Sequence, residues 1–338
     1  MIHFKTFDDL TREVEQDDLG KWDRKVLAEA IELRYGKLRL SPHRGGTVSG
    51  LILSDRAIQN ICELVGIPVD YFYRCPPPLQ DVQFNFWLRE CCRRDEAERK
   101  ARLSSAPIQL LLRAKRDILR AVLAHDYPCF DHRDLLNFLK PKLRRRLAVS
   151  AYELEGDQLW ITLVMPESAR TVTKSHSYLL GCQLYNSEIA EAVITVRPVI
   201  VVESSETEIG CPTAPVELVH AAGAYDARHG FQTDVERAME TAFTRAAEFL
   251  GLLERYPPLK QVCVDKALSK LTLRCQIPAT AVQSVGELLA STTDKRKVTA
   301  MTLAEALVGA AKSFPPALQI EQEALAGHLL FGEILRHI

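Results

Sequence analysis

The sequence has no run of about eighteen apolar residues, and its acidic opening segment, MIHFKTFDDLTREVEQDD, lacks the apolar stretch that a signal peptide needs. These absences argue against a membrane-spanning helix and predict a cytoplasmic protein. The nine cysteines are odd in number and include no C-x-x-C pair. A secreted disulfide framework is therefore not expected, and we predict reduced thiols.

Signatures of the common enzyme classes are missing as well. The chain has no phosphate-binding loop, no dinucleotide-binding glycine pattern and no G-x-S-x-G element, and the adjacent Gly45 and Gly46 lie in a predicted turn. We find no internal repeat and expect no cofactor. With 338 residues, of which 47% are hydrophobic and 26% charged, the composition is typical of a folded globular protein with a large core.

The apolar pattern divides the chain into three regions. Residues 1–104 are predicted to be mostly helical with a short strand pair, residues 105–210 to be rich in strands, and residues 211–338 to be helical. Helices followed by strands and then helices favour an α+β fold over alternating β-α-β units. We expect an antiparallel-rich central sheet of about six strands with one embedded helix, flanked by the two helical regions.

Apolar spacing sets the predicted elements. Helices are expected over residues 22–34, over residues 55–65 and from Leu79 to about residue 104. Ser54 is the predicted N-cap of the second helix, and Gly66 ends it. The six strands of the central sheet are expected at residues 108–113, 118–125, 147–154, 159–165, 178–184 and 192–202.

A basic segment is the most informative feature of the sequence. Residues 89–146 contain sixteen Lys and Arg against eight Asp and Glu, whereas the whole chain carries a net charge of −1. Such a regional excess is typical of a surface that follows a phosphate backbone by charge and counterion release. The residues expected to line this groove are Arg93, Arg94, Arg99, Lys100, Arg102, Arg113, Lys115, Arg116, Arg120, Lys140, Lys142, Arg144, Arg145 and Arg146. The alternative is a solvated surface balanced by the acidic remainder of the chain.

Aromatic residues stand just before the basic segment, at Tyr71, Phe72, Tyr73, Phe84, Phe86 and Trp87. Exposed rings beside a cationic groove would stack on the bases of a single strand. The spacing of Phe84 and Trp87 suits a buried helical stripe, so we favour a place in the core for such residues. If any of the rings stacks on bases, Tyr73 and Phe86 are the candidates.

Two imidazoles and three carboxylates lie within ten residues, at His125, Asp126, Asp131, His132 and Asp134. These carboxylates, with that of Glu188, would be the catalytic and metal-binding set of a nuclease. The interpretation that we favour makes Asp131 the N-cap of the embedded helix, which is expected to stop at Pro141. We therefore expect no bound metal.

The triplet Asn186-Ser187-Glu188 follows a predicted strand. In a functional interpretation, Glu188 is an acid or a metal ligand and Ser187 contacts a phosphate. In the structural interpretation, which we favour, the triplet shapes a turn of the sheet and Glu188 pairs with an arginine. Cys91-Cys92 has no neighbouring histidine and is not expected to do redox or nucleophilic chemistry.

Four segments carry a family resemblance: LSDRAIQNICELVGIPVDYFYRCPPPLQDVQFNFWL, ILRAVLAHDYPCFDHRDLLNFL, GCQLYNSEIAEAVITVRPV and MTLAEALVGAAKSFPPALQIEQEALAGHLL. They resemble, in the same order, motifs of the phage- and plasmid-associated proteins that carry domain of unknown function 932. Asn85, Tyr127 and Glu188 stand at matching positions. Ala190 stands where the family has glycine, and residues 201–205 replace an arginine-rich run.

The resemblance covers about residues 53–330 and implies a protein of mobile elements that handles their DNA. It implies no specific activity. We predict a non-enzymatic nucleic-acid-binding protein that binds or anneals single-stranded DNA in recombination or replication. A homo-oligomeric ring is the assembly expected for annealing, because a ring repeats one weak groove. The alternatives are a metal-dependent nuclease or nucleotidyltransferase, and a protein-interaction or host-defence factor.

Overall fold

A computed structural model gives the arrangement of most of the chain. It describes residues 7–40, 50–102, 107–143, 146–173, 176–190, 193–203, 207–218, 227–257, 261–266, 269, 278–292, 298–314 and 316–334. Within these residues the strands form two separate sheets, and helices pack against both. The predicted α+β class is confirmed.

The first sheet has six strands in the order β1-β5-β6-β4-β3-β2. Its strands are β1 (Lys21–Leu27), β2 (Ile31–Arg34), β3 (Lys37–Leu40), β4 (Leu51–Leu53), β5 (Gln109–Lys115) and β6 (Ile118–Ala124). All neighbours are antiparallel except β4 and β6, which run parallel. The strands predicted at residues 108–113 and 118–125 are therefore present as β5 and β6, which form an antiparallel hairpin inside this sheet.

The second sheet follows the embedded helix and is antiparallel throughout. Its strands are β7 (Ala148–Glu155), β8 (Gln158–Val164), β9 (Arg170–Thr173), β10 (His176–Ser187), β11 (Ile194–Val202), β12 (Thr207–Gly210) and β13 (Val216–Leu218). The main order is β12-β11-β10-β8-β7, with β13 beside β11 and β9 beside β10. The six strands expected in one central sheet thus divide between two sheets, because β5 and β6 pair with β1 and β4.

The predicted helix over residues 22–34 is wrong. Residues 21–27 form β1, which pairs with β5 along its whole length, from Lys21 opposite Lys115 to Leu27 opposite Gln109. Residues 31–34 form β2, in which Ile31 and Leu33 are buried and the alternate residues are exposed. Apolar residues three or four apart satisfy a helical pattern, but the seven-residue pairing with a distant strand overrides it.

Nine helices are described: α1 (Phe7–Asp17), α2 (Asp55–Val65), α3 (Val69–Arg74), α4 (Pro77–Arg102), α5 (His132–Leu143), α6 (Ala227–Arg255), α7 (Ala279–Thr292), α8 (Ala300–Ala311) and α9 (Pro316–Ile334). The second is bounded as predicted. The Ser54 side chain accepts a hydrogen bond from the Ala57 amide, and Gly66 ends the helix in the left-handed region at φ 72°. Pro141 does not stop α5, which continues to Leu143.

Each sheet has its own core. Leu33, Ile61, Phe84 and Leu112 belong to a cluster between the first sheet and helices α2 and α4. The larger cluster joins the second sheet to α1, α5 and α6–α9. Strands from both sides of residue 104 share the first sheet, and the division into three regions stays a prediction.

Two features of the sequence have direct structural counterparts in the described residues. No helix there is both long and apolar enough to cross a membrane. The eight cysteines within that part of the chain are all free thiols, and four of them are buried.

Helix α9 crosses strand β12 at two glycines. A Cβ atom built on Gly327 would overlap the carbonyl oxygen of Gly210, and one on Gly210 would lie 3.1 Å from the backbone of Ala324. The helix and the strand can approach this closely only because both positions lack a side chain.

We expect Gly327→Ala to destabilise the protein by roughly 1–3 kcal/mol, because the added methyl group forces α9 away from the sheet. Gly332, in the same helix, has no atom within 4 Å of its Cβ position, so it offers a matched control. Gly332→Ala should stabilise the protein by about 0.5–1 kcal/mol through helix propensity. Equilibrium urea denaturation measures both changes, and equal effects would contradict the close approach.

Candidate functional site

The carboxylate of Glu188 lies between the two sheets and is completely buried. Its Oε2 accepts hydrogen bonds from Lys21 Nζ and from Arg120 Nη1, each at 2.7 Å. Its Oε1 accepts from the backbone amide of His132 at 3.1 Å. One side chain from the end of β10 thereby contacts β1, β6 and the first turn of α5.

Arg113 on β5 makes a second set of contacts across the same boundary. Its Nη2 pairs with Asp131 at 2.6 Å, its Nε pairs with Asp23 at 3.1 Å, and its Nη1 donates to the backbone carbonyl of Glu188. Arg120 also pairs with Asp157, whose backbone carbonyl accepts from the Glu188 amide at 3.0 Å. We call this group of buried and half-buried charges the Glu188 network.

The network extends to α1 through Asp17. The Asp17 carboxylate contacts both Lys21 and Lys115 at 2.6 Å. Lys21 also lies 3.1 Å from Asp18. The first helix is therefore tied to the first sheet by ion pairs, whereas its buried apolar residues Leu10 and Val14 belong to the core of the second sheet.

The charge states inside the Glu188 network follow from burial and neighbours. Burial alone raises the pKa of Glu188, but the fields of His132 and Lys21 and the hydrogen bonds from Lys21 and Arg120 outweigh it, and the pKa falls to about 2. Burial lowers the pKa of His132 to about 4. At neutral pH Glu188 is therefore ionised and His132 is neutral. Burial raises the pKa of Asp131 despite the opposing charge of Arg113.

Asn186 fixes the imidazole of His132. The Asn186 amide lies 3.0 Å from His132 Nδ1 and donates to the Phe130 carbonyl at 3.2 Å. An amide N–H can donate a hydrogen bond only to an unprotonated Nδ1, so the proton of the neutral ring is assigned to Nε2. Nε2 lies 3.9 Å from Glu188, and this contact is not an ion pair while the histidine is neutral.

These contacts confirm the pairing of Glu188 with an arginine that the structural interpretation of the triplet predicted. They also change the predicted nucleic-acid surface. Arg113 is 1% exposed and Arg120 is 4% exposed, and both are ion-paired. A phosphate could reach either guanidinium only if these buried pairs were broken, so both leave the predicted groove.

The predicted acidic cluster is not assembled as a catalytic set. Asp126 and His125 are exposed, whereas Asp131 pairs with Arg113. Among the residues that the structure describes, no three His, Cys, Asp or Glu side chains are grouped so as to hold a metal ion. This arrangement gives no support to the nuclease alternative.

Capping of α5 differs from the prediction in detail. The Asp131 carbonyl accepts from the Leu135 amide at 3.0 Å, as expected at an N-cap position, but its carboxylate is bonded to Arg113. The Asp134 carboxylate accepts a hydrogen bond from the backbone amide of Asp131 at 3.3 Å, and the Glu188 carboxylate accepts one from the backbone amide of His132. Two carboxylates other than that of Asp131 therefore bind amides at the helix start.

The remaining predicted cations lie on three elements. Arg93, Arg94, Arg116, Lys140 and Arg146 are exposed. Lys115 and Lys142 are half-buried and pair with Asp17 and Glu236 respectively. Arg144 and Arg145 lie outside the described residues, as do the side chains of Arg99, Lys100 and Arg102.

Helix α4 presents one face to the core and another to solvent. Phe84 and Leu88 are buried, and the Asn85 side chain bonds both the amide and the carbonyl of Leu33, at 2.8 and 2.7 Å. Residues on the opposite side of the helix are exposed. Phe86 is 54% exposed and Trp87 is 40% exposed, and their rings make an edge-to-face contact at 5.2 Å.

Two tyrosines of α3 extend this exposed surface. Tyr71 is 44% exposed and its hydroxyl accepts a hydrogen bond from Gln83 of α4, whereas Tyr73 is 46% exposed and donates to Asp55. Three arginines of α4 are exposed as well, Arg89 one helical turn after Phe86 and Arg93 and Arg94 two turns after Phe86 and Trp87. We call this surface the aromatic–arginine face and define it as Tyr71, Tyr73, Phe86, Trp87, Arg89, Arg93 and Arg94.

The core interpretation is thus confirmed for Phe72 and Phe84 and is wrong for Trp87. The exposure of Phe86 and Trp87 could have been predicted in part from the sequence. Once Phe84, Asn85 and Leu88 are assigned inward, a helical period places Phe86 and Trp87 outward.

Comparison with known proteins returns no match to any family model, to any curated protein or to any solved structure. The resemblance to phage- and plasmid-associated proteins therefore stays a prediction.

The neutral state of buried His132 makes stability depend on pH. Its pKa is about 4 in the folded protein and 6.5 in the unfolded chain, so the unfolded chain binds more protons between these values. The contribution of His132 to the free energy of unfolding should be complete above pH 6.5 and should fall by roughly 3 kcal/mol as the pH is lowered towards 4. Glu188 adds a further loss between its ordinary pKa of 4.5 and about 2.

Urea denaturation at a series of pH values from 7.5 to 5 measures this slope. The raised pKa of Glu323 acts in the opposite direction over this range, so the His132 contribution is the difference between the wild type and His132→Asn at each pH. The wild type should lose stability relative to His132→Asn as the pH falls from 6.5 to 5, whereas the same change at exposed His125 should produce no such difference. A constant difference between the wild type and His132→Asn would show that His132 is not held neutral.

Proposed function

We propose that the protein binds single-stranded nucleic acid through the aromatic–arginine face, by stacking and charge and without reading base sequence. The observation that carries this proposal is the set of four exposed aromatic side chains on α3 and α4, together with the exposed arginines of α4. Every base has a π-face, so rings of this kind stack on any sequence. Guanidinium groups beside the rings neutralise the phosphates of the same strand.

The spacing along α4 suits a strand that lies along the helix. Phe86, Arg89 and Arg93 recur at positions i, i+3 and i+7, and Trp87 and Arg94 are also seven residues apart. Seven residues of helix span about 10 Å, which is the length of about three stacked nucleotides. A strand could therefore meet rings at one end of the face and guanidinium groups at the other.

The resemblance to phage- and plasmid-associated proteins supports a role in recombination or replication, in which single strands are bound or annealed. A ring-shaped homo-oligomer would increase affinity by avidity and remains part of the proposal. Leu79 and Val82, which are 39% and 65% exposed, adjoin Phe86 on α4 and would also suit a protein partner. The experiment must therefore separate base stacking from apolar docking.

Fluorescence anisotropy with labelled single-stranded DNA, single-stranded RNA and duplex DNA provides that separation. Phe86→Leu keeps an apolar side chain but removes the ring, and it should weaken single-strand affinity by about five- to a hundredfold, equivalent to 1–3 kcal/mol of stacking. Phe86→Trp keeps a ring and should retain the affinity. Equal affinities of the Leu and Trp variants would contradict stacking and favour a protein partner.

The charge contribution has a matched control within the chain. Arg93 pairs with Glu90 and Arg237 pairs with Asp234, each three residues earlier on a helix, and both arginines are highly exposed. Arg93→Glu should lower the affinity and reduce the slope of log K against log salt by about 0.7 for each phosphate that is no longer neutralised. Arg237→Glu should do neither. If the two variants gave the same slope, Arg93 of α4 would not be part of the binding surface.

A further inference from the structure

A row of polar side chains crosses the second sheet. Thr162 of β8, Gln183 of β10 and Arg197 of β11 are direct neighbours in the strand register. Each is at least nine-tenths buried. Arg197 Nη2 bonds Gln183 at 2.6 Å, and its Nη1 donates to the Ile320 carbonyl of α9 at 2.7 Å. Buried polar side chains in an apolar sheet need hydrogen-bond partners, and each of these three side chains has at least one.

Two buried carboxylates complete this row. Glu208 of β12 accepts from Thr162 at 2.7 Å and from Gln183 at 2.9 Å. Glu323 of α9 pairs with Arg197. The two carboxylates are 7% and 5% exposed, and the one buried arginine beside them, Arg197, pairs with Glu323.

A cavity of about 420 Å³ opens beside these carboxylates, between the second sheet and helices α8 and α9. Its walls are of three kinds. Polar walls come from Gln183, Glu208 and Glu323, with the exposed Lys312 at one side, whereas Tyr152 and Trp160 supply aromatic rings and Val308 and Ile320 supply apolar surface. Trp160 is braced by Tyr185, with ring centroids 4.8 Å apart. This volume and mixture of walls are typical of a small-molecule site.

Ser150 is an independent sign of a binding site. It lines the cavity, is 5% exposed, and its hydroxyl has no hydrogen-bond partner among the described residues. It is also the extra residue of a β-bulge, because Val149 pairs with Leu163 and Ala151 with Thr162, which leaves Ser150 without a counterpart. Bulges commonly re-aim a side chain beside a site.

We propose that this cavity binds a small organic cation that carries a guanidinium or a primary ammonium group. The cation would donate hydrogen bonds to Glu208 and Glu323, donate one to Ser150, and lie against the rings of Trp160 and Tyr152. The apolar walls suit a short hydrocarbon stem. A divalent metal is less suited, because the described residues include no group of three metal-binding side chains. The proposal is independent of nucleic-acid binding at the aromatic–arginine face.

The protonation of the carboxylates supports a cationic ligand. Burial and the neighbouring Glu208 raise the pKa of Glu323 to about 8, although Arg197 opposes the shift. Burial also raises the pKa of Glu208, against Thr162, Arg197 and Lys312. Near pH 7 the pair therefore retains a proton that an incoming cation would displace.

Charged groups on every neighbouring element define the site's pH response. They are Glu153 of β7, Arg197 of β11, Glu208 of β12, Lys312 after α8 and Glu323 of α9. Because the ligand favours ionised Glu323, its affinity should rise with pH up to about 8 and then level off. The rise should approach about tenfold for each pH unit.

Isothermal titration with methylguanidinium, methylammonium and neutral methylurea tests the proposal. Both cations should bind and methylurea should not. At pH 7, the binding enthalpies measured in two buffers of different ionisation enthalpy should differ, because binding of the cation releases a proton that the buffer takes up. Glu323→Gln should weaken methylguanidinium binding by about tenfold or more, whereas Glu305→Gln, at a carboxylate that accepts from Tyr178 outside the cavity, should not.

Ser150→Ala is the second variant, because it removes a hydroxyl without a partner and should not lower the melting temperature. It should weaken the binding of methylguanidinium severalfold. The proposal would be overturned if methylurea bound as tightly as methylguanidinium, or if neither cation bound at millimolar concentration. It would also be overturned if Glu323→Gln and Ser150→Ala both bound methylguanidinium as tightly as the wild type.

Discussion

The buried carboxylate of Glu188 is the constraint on which the arrangement of the two sheets depends. It belongs to the second sheet, yet its charge is balanced by Lys21 and Arg120 of the first sheet. Taking several charges out of water is costly, and a buried ion pair is often no more stable than an apolar replacement. The network is therefore better understood as specifying how the sheets meet. Apolar packing on each sheet supplies most of the stability.

The network also changes the meaning of the basic segment. Its excess of cations suggested one surface, but Arg113 and Arg120 neutralise carboxylates inside the protein. A count of charges cannot separate a buried ion pair from an exposed cation, because both contribute equally to the composition. The arginines that remain exposed on α4 share that helix with exposed rings, and the proposed single-stranded ligand rests on this combination. The cavity beside Glu208 and Glu323 lies in the second sheet, and the ligand proposed for it is a small organic cation.

Local signals in the sequence were sufficient for much of the fold. Ser54 and Gly66 bound α2 as predicted, since a cap and a left-handed glycine are short-range features. Strands β7, β8, β10 and β11 of the second sheet and the helices of the C-terminal region were also predicted from local patterns, whereas the short strands β9, β12 and β13 were not. Residues 22–34 were mispredicted because the strand pairing of β1 depends on β5, more than eighty residues away. For the same reason the division of the strands into two sheets could not be read from their order.

The sites were predictable only in part. The triplet at residues 186–188 was noticed, and its pairing with an arginine was expected, but the identity of that arginine required the fold. Ala190 has a φ angle of 54°, in the left-handed region that favours glycine. The phage- and plasmid-associated proteins that the sequence resembles have glycine at this position. The cavity beside Glu208 and Glu323 gave no sequence signal, because its residues come from four strands and two helices that are spread over more than 170 residues of the chain.

Glu188 couples the two sheets, and a double-mutant cycle measures that coupling directly. Arg120→Met, Glu188→Gln and the double variant would be compared with the wild type by urea denaturation. Each single change should be strongly destabilising, by about 3–5 kcal/mol, because it removes one of the partners that neutralise a buried charge. The double variant should be more stable than the sum of the single changes predicts, by roughly 1–3 kcal/mol. Effects that add to within about 0.5 kcal/mol would contradict the coupling of the sheets through Glu188.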